Sequence, residues 1–280
     1  MRLSTAAWLA AGCLQAAGAS AGEIHYNASK GKTEQVAALL RGGVDPDKPD
    51  DEGRTPLFYA ASAGHIEVVR LLLEKGADPG LATDDGDTPM VQASLDGNAE
   101  IVGLLLGKGA DPNATEQKLR FTPMHCAAQK GSAPVVELLL AKGASPTAKD
   151  LQGDSPLHIA AQNGRLDVVK LMLAKGVDPN LRNTRGSGAI FKAAANGHVE
   201  VVKALLDAKA VMTSRDPLYG TALNAAADKG HVAVAELLIA RGVPLEGQRF
   251  GETALQIAAE KGHTEFVALL KGKGAKEATK

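Results

Sequence analysis

The chain has 280 residues, 45% of them hydrophobic, 22% charged and 3% aromatic, with two cysteines and a formal net charge of -1. This composition excludes wholesale disorder, and so few aromatics favour a core of Leu, Val, Ile and Ala in closely packed helices over a β-sandwich. The near-zero charge gives no global attraction to nucleic acid or to an anionic membrane.

The first stretch, "MRLSTAAWLAAGCLQAAGASAG", has one charge, Arg2, then an apolar run from Leu3 to about Leu14, and closes on Ala19-Ser20-Ala21. A basic start, a short apolar middle and a small-x-small exit have the form of a secretory signal peptide over residues 1–21. The apolar middle is well short of the roughly 20 residues that span a bilayer, so no membrane span is expected. Ala10-Ala11-Gly12-Cys13 loosely resembles a bacterial lipoprotein signal, although Ala10 stands where Leu is usual and the cysteine comes early. Cleavage after Ala21 leaves a mature chain from Gly22 with the single cysteine Cys126.

From Gly22 onward the sequence repeats itself with a period of 33 residues and single-residue slips to 34 and 32. The units are 22–53, 54–86, 87–120, 121–153, 154–186, 187–219, 220–251 and 252–280. Each reads as two short helices and a loop arm. Thr55, Thr88, Thr122 and Ser155 precede a helical run as N-caps, each followed by proline at the first helical position. Ala60-Ala61, Ala127-Ala128 and Ala160-Ala161 give the first helix a smooth face. Gly64, Gly131, Gly164, Gly197, Gly230 and Gly262 stop it. The second helix carries an apolar face, read as Val68, Leu71 and Leu72 or Val168, Leu171 and Leu173, and Gly76, Gly109, Gly143, Gly176 and Gly242 end it. Asp-Pro or Ser-Pro then starts the arm, where proline argues for arms lying side by side without a full sheet. The end units read as polar caps, 22–53 through Lys30, Lys32, Glu34 and Gln35, 252–280 through its lysine-rich tail. One joint reads as soft: Gly188-Ala189 replaces Thr-Pro and Lys209 replaces the stopping glycine, so local opening is expected around residues 187–219.

This pattern, T-P-L-x-x-A-A-x-x-G-H-x-x-V-V-x-L-L-L-x-x-G-A-D-P-N, resembles the ankyrin repeat family over essentially the whole mature chain. The resemblance implies an all-α fold, an ankyrin-repeat solenoid of stacked helix-turn-helix units with β-hairpin-like loop arms. It also implies protein binding on a concave surface made by the arm tips and the exposed side of the first helices.

Chemistry-bearing residues dissolve into this register. His125 and Cys126 sit side by side, as a nucleophile and its base could. Yet the same two slots hold Phe58 and Tyr59, His158 and Ile159, or Asn224 and Ala225 elsewhere. In similar repeats the histidine of this slot bonds within its own turn, so Cys126 is expected to be a buried thiol. His65, His198, His231 and His263 share one slot at the start of the second helix. Stacked helices stand roughly 8–10 Å apart, too far for one metal shell with nitrogens about 2.1 Å from the ion. "GKGADPN" lacks the G-K-[ST] of a phosphate loop. Asn27-Ala28-Ser29 and Asn113-Ala114-Thr115 match the glycosylation sequon and are read as coincidence. No catalysis, cofactor or metal is expected.

The tips vary where the lattice does not. They offer Asp51, Glu52 and Arg54, then Asp84, Asp85 and Asp87, then Lys118, Arg120 and Phe121 around a one-residue insertion. Leu151, Arg185, Leu218, Tyr219, Arg249 and Phe250 follow. The surface starts acidic and turns basic and apolar, and Tyr, Phe and Arg are common interface anchors. The reading is a monomeric, exported scaffold for an unidentified protein partner, periplasmic or extracellular. Its alternatives are a secreted effector acting on a host protein and a self-assembling structural solenoid. Folding-down of Leu119 and Leu151 against the adjacent arm is the competing expectation at the tips.

Overall fold

Several repeats begin where a hydroxyl can catch a free helix N–H. The Thr55 and Thr88 hydroxyl oxygens accept from Phe58 and Val91 N–H, both at 3.2 Å. Pro56 and Pro89 follow at the first helical position, where proline has no hydrogen bond to lose. A computed structural model describes residues 22–212 and 220–276. The chain packs as two compact units, one running to Cys126 and resuming over Glu137–Ala144, the other covering Ala127–Val136 and running on from Ser145.

The first unit holds α1 (residues 22–29), α2 (Thr33–Arg41), α3 (Pro56–Ser62), α4 (Ile66–Glu74), α5 (Pro89–Asp96) and α6 (Ala99–Gly107). Two further helices follow in the chain, α7 (Pro123–Lys130) and α8 (Ala133–Ala141). α3 packs on α5, while α2 packs on α4 and α4 on α6. The second unit holds α9 (Pro156–Gln162), α10 (Leu166–Ala174), α11 (Ala189–Ala195), α12 (Val199–Asp207), α13 (Ala222–Lys229) and α14 (Val232–Ala240). A hairpin of β1 (Gln248–Arg249) and β2 (Glu252–Thr253), then α15 (Ala254–Glu260) and α16 (Thr264–Gly272), complete it. Here α9, α11, α13 and α15 stack in sequence, and α10, α12, α14 and α16 do likewise.

Alanine lets the first helices approach. Ala60, Ala61, Ala160, Ala161, Ala193, Ala194, Ala226 and Ala258 are all fully buried. The second helices supply the bulk, with a correction to the expected face. The buried sets are Val68, Val69, Leu72 and Leu73 in α4 and Val168, Val169 and Met172 in α10. Leu71, Leu171 and Leu173 are only half-buried. The apolar stripe is thus centred nearer the two adjacent valines than the leucine spacing suggests.

Histidines at the second-helix N-caps lock one repeat to the one before. The His65, His198, His231 and His263 Nε2 atoms lie 3.1, 3.0, 3.1 and 3.3 Å from the carbonyl oxygens of Ser29, Gln162, Ala195 and Asp228. None of these histidines caps its own helix through its side chain. Arg165 does the same work, its Nε donating to Gln129 O at 2.9 Å. The rings need room. A Cβ added to Gly31, Gly164, Gly197 or Gly230 would meet the facing histidine Nδ1 at 2.6–2.7 Å. These glycines therefore serve the joint as well as the positive φ of the helix stop.

The arms lie side by side without a full sheet. Among the described residues the only named strands are the two-residue β1 and β2, with one isolated bridge from Arg182 to Gly188. Asn27 is 4% exposed on α1, which keeps the first sequon out of reach. Lys209 adopts φ 66, in the left-handed region that glycine occupies in the other repeats.

Candidate functional site

The tips are built by a local device that the pattern did not reveal. The Asp50 carboxylate accepts the N–H groups of Glu52 and Arg54, both at 2.9 Å. Asp150 does so for Gln152 and Asp154 at 2.8 Å. The Asn183 side-chain oxygen accepts from Arg185 and Ser187 at 3.0 and 2.9 Å. In the second arm Thr83 Oγ1 accepts from Asp87 N–H at 3.1 Å. The third arm carries the inserted residue, and a longer acid spans it. Glu116 accepts the N–H groups of Lys118, Leu119 and Phe121 at 2.7, 2.7 and 2.9 Å. The only sequence trace of this device is a short polar residue five positions before the helix cap in several repeats. Such side-chain-to-backbone bonds hold a turn without a sheet.

Within each unit, neighbouring arms are joined by single backbone hydrogen bonds. Asp84 N–H donates to Glu52 O at 3.1 Å and Gln117 N–H to Asp85 O at 2.9 Å. In the second unit Thr184 N–H donates to Gln152 O at 3.1 Å.

In the first unit Asp51, Glu52, Asp84 and Asp85 are exposed. Arg54 is half-buried between Asp50 at 2.9 Å and Glu52 at 2.6 Å, its guanidinium 5.2 Å from the Tyr59 ring centroid. Burial alone would raise the Asp50 carboxyl, but hydrogen bonds from Tyr59, Arg54 and Glu52 hold it well below the usual carboxylate range. The Tyr59 hydroxyl is pushed up to about 12 by burial and by Asp50. Asp87 is half-buried, and burial followed by the charges of Glu116 and Asp85 raises its carboxyl. Together Glu52, Arg54, Phe58, Thr83, Asp84, Asp85 and Asp87 line an open cleft of about 390 Å³.

Lys118 is exposed and bonded to Asp85 at 2.6 Å. Arg120 is exposed at φ 58. Phe121 is half-buried and stacks on His125, with ring centroids 5.3 Å apart and planes at 20°. It is therefore folded down rather than projecting.

In the second unit Leu151 and Arg185 are exposed, Leu151 by 57%. Leu119, of the first unit, is 45% exposed, so neither leucine folds down. Arg249 is half-buried and 3.1 Å from Asp228, while Phe250 is 78% exposed. Leu218 and Tyr219 lie outside the described residues.

The His125–Cys126 pair has no reactive geometry. His125 is fully buried, and its Nδ1 accepts from Thr122 N–H at 3.2 Å and lies 2.9 Å from the Thr122 hydroxyl. Cys126 is 3% exposed, and burial, then the charges of Asp87 and Glu116, push its thiol up to about 12. A thiol so held is neither deprotonated at neutral pH nor reachable. Among the described residues no three His, Cys, Asp or Glu side chains gather as a metal shell, and no helix is long and apolar enough to cross a membrane.

The profile of the family described as Ankyrin repeats (3 copies) matches residues 24–116, 114–183, 157–246 and 190–280. The chain belongs to the ankyrin repeat family. Ankyrin repeats are protein-binding scaffolds, and the fold is typically non-enzymatic. Among solved structures this ankyrin-repeat chain is similar to the human ASB11 ankyrin repeat domain. The two share 28% identity and a TM-score of 0.73, over 79% of this chain and 98% of that one. Matches to 615 chains of solved structures mean that the fold alone selects no partner. No curated protein matches the sequence. Specificity must therefore be sought in side chains of this ankyrin-repeat chain that the repeat lattice does not fix.

Proposed function

We propose that this chain is an exported ankyrin-repeat scaffold that binds a protein partner through its arm tips and the exposed side of its first helices, without catalysis. The observation that carries the reading is the turn device. Asp50, Glu116, Asp150 and Asn183 fix the tip backbone. The residues they enclose, Asp51, Glu52, Leu119, Leu151 and Arg185, stay exposed. A rigid frame presenting variable side chains loses little order on binding, which favours recognition over motion.

Export rests on residues 1–21, whose form is that of a signal peptide. N-terminal sequencing of the protein recovered outside the cytoplasm should begin at Gly22, and an uncleaved Met1 there would refute export by this route. For binding, the mature chain from Gly22 serves as bait in the periplasmic or extracellular fraction. A double alanine variant at Tyr219 and Phe250 should lose the captured partner while keeping its helical circular dichroism. Equal capture by the folded variant would remove these residues from the interface. Cys126→Ala should capture as well as the parent.

A further inference from the structure

Two departures from the repeat fall beside one arm of the first unit. The first is at the slot three residues after the helix cap. There His158 and Asn224 reach the arm that follows, His158 Nε2 lying 3.1 Å from Ser187 O and Asn224 Nδ2 donating to Glu252 O at 3.5 Å. Phe58 holds the same slot with no polar atom to reach with. The second is at the carboxylate just before the cap. In the second unit Asp154 is bound by Lys192 Nζ at 2.6 Å and Asn183 Nδ2 at 2.8 Å. Asp87 holds that slot in the first unit, where Cys126 stands in the place of Lys192 and the turn acceptor Glu116 in that of Asn183. An ammonium and an amide are thus replaced by a buried thiol and another carboxylate.

What remains is the open cleft of about 390 Å³, where Phe58 lies among the carboxylates of Glu52, Asp84, Asp85 and Asp87 with Arg54 as the one lining cation. Arg54 is held by Asp50 and Glu52 at 2.9 and 2.6 Å, and Lys118 reaches over from the third arm to Asp85 at 2.6 Å. Among the described residues no cation pairs with Asp84 or Asp87. Burial, then the charges of Glu116 and Asp85, raise the Asp87 carboxyl, as befits a negative group short of a counter-charge. The carboxylates are too spread for a metal: among the described residues no three gather as a shell. The cleft suits the group that Asp154 already binds, an ammonium on an apolar stem, with an aromatic ring to cover the stem.

We propose that the cleft between the first two arms takes a lysine side chain of the protein partner, its ammonium at Asp84 and Asp87 and its stem on Phe58, in the role that Lys192 plays for Asp154 within the chain. This rests on the reading of the tips as the binding face and deepens it by naming one side chain of the partner and its seat.

The test is fluorescence anisotropy of the mature chain, at low ionic strength, with two short labelled peptides, one alternating Lys with Ala and one alternating Glu with Ala. The Lys–Ala peptide should bind more tightly. Asp87→Asn should weaken it by about tenfold and Phe58→His, which copies the slot as His158 fills it, by about threefold. Asp51→Asn removes an exposed tip carboxylate outside the cleft and should change binding less than about twofold. Asp87→Asn should melt no lower than the parent; a lower melting temperature would assign the carboxylate to structure and overturn its role as a seat. Equal weakening by Asp51→Asn would show diffuse attraction in place of a site, and overturns the proposal. So does tighter binding of the Glu–Ala peptide, or a rise in melting temperature with calcium chloride that equal ionic strength of sodium chloride does not give, which would make the cleft a metal site. Failure of the Lys–Ala peptide to bind also overturns it. If the Tyr219 and Phe250 double variant nonetheless loses its captured partner, the tips remain the binding face and only the lysine seat falls.

Discussion

Ser94 stands in the slot that Ala61 and Ala161 fill in other repeats, and its hydroxyl is fully buried with no hydrogen-bond partner. An unsatisfied buried hydroxyl in a close-packed helix is a cost without a return. Ser94→Ala should therefore raise stability by about 1 kcal/mol, seen as a higher urea midpoint at unchanged slope. His158 shows the opposite economy, since every ring nitrogen is used. Its Nδ1 accepts Ser155 N–H at 3.1 Å and its Nε2 lies 3.1 Å from Ser187 O. That arrangement needs the neutral ring, and burial lowers its affinity for a proton below the ordinary value near 6.5. A base depressed in the folded state lets the unfolded chain take up protons first. The stability it contributes is full above about pH 6.5 and is lost as pH falls through the lower folded value. The chain itself supplies the control. Gln256 and Asn224 hold the same slot, accepting Thr253 N–H at 2.8 Å and Thr221 N–H at 2.9 Å. His158→Gln should keep the cap and flatten the fall in melting temperature between about pH 7 and 5 relative to the parent. Parallel curves would show that His158 carries no linked proton.

At the scale of elements, the repeat of α11 and α12 departs most from its neighbours. Gly188 precedes α11 with no side-chain cap bond, Ser187 Oγ is buried without a partner, and Lys209 takes φ 66 at the end of α12. Each departure costs on the order of 1 kcal/mol. Hydrogen exchange should open α12 before α10 or α14, and Lys209→Gly should slow that exchange and raise the melting temperature. Slowest exchange in α12 would contradict the reading. This joint was legible in the sequence because a repeat supplies its own reference: a missing Thr-Pro or Gly is visible against the other copies. The turn device of the arms was not. Asp50, Glu116, Asp150 and Asn183 differ in type and spacing, and only geometry shows that one acceptor serves two or three N–H groups. Phe121 misled for a related reason. A tip aromatic adjoining the cap can stack on the histidine of its own turn, and the choice between stacking and projecting depends on an arm conformation that the inserted residue alters.

At the scale of the whole chain, the fold was legible because no repeat can bury both faces of its helices alone. The same periodicity that names the family also dictates the contacts, α4 on α6 and α12 on α14. What the periodicity does not encode is the partner, since tip residues are the positions the lattice leaves free. Contacts restricted to neighbours have a thermodynamic consequence that separates this chain from a globule with one core. A cavity made in one repeat weakens that repeat and its two interfaces, and helices several repeats away keep their own local stability. Leu72 is fully buried in α4, so Leu72→Ala should cost about 2–5 kcal/mol there. Amide exchange in α3 to α6 should speed by at least about thirtyfold, given that roughly 1.4 kcal/mol is a factor of ten. Amides of α14 and α16 should exchange at the parent rate. In a single cooperative core the slowest amides exchange only through global unfolding and would all accelerate together. Uniform acceleration from α3 to α16 would therefore show that the repeats fold as one unit, and that the softness of the α11–α12 repeat cannot act locally.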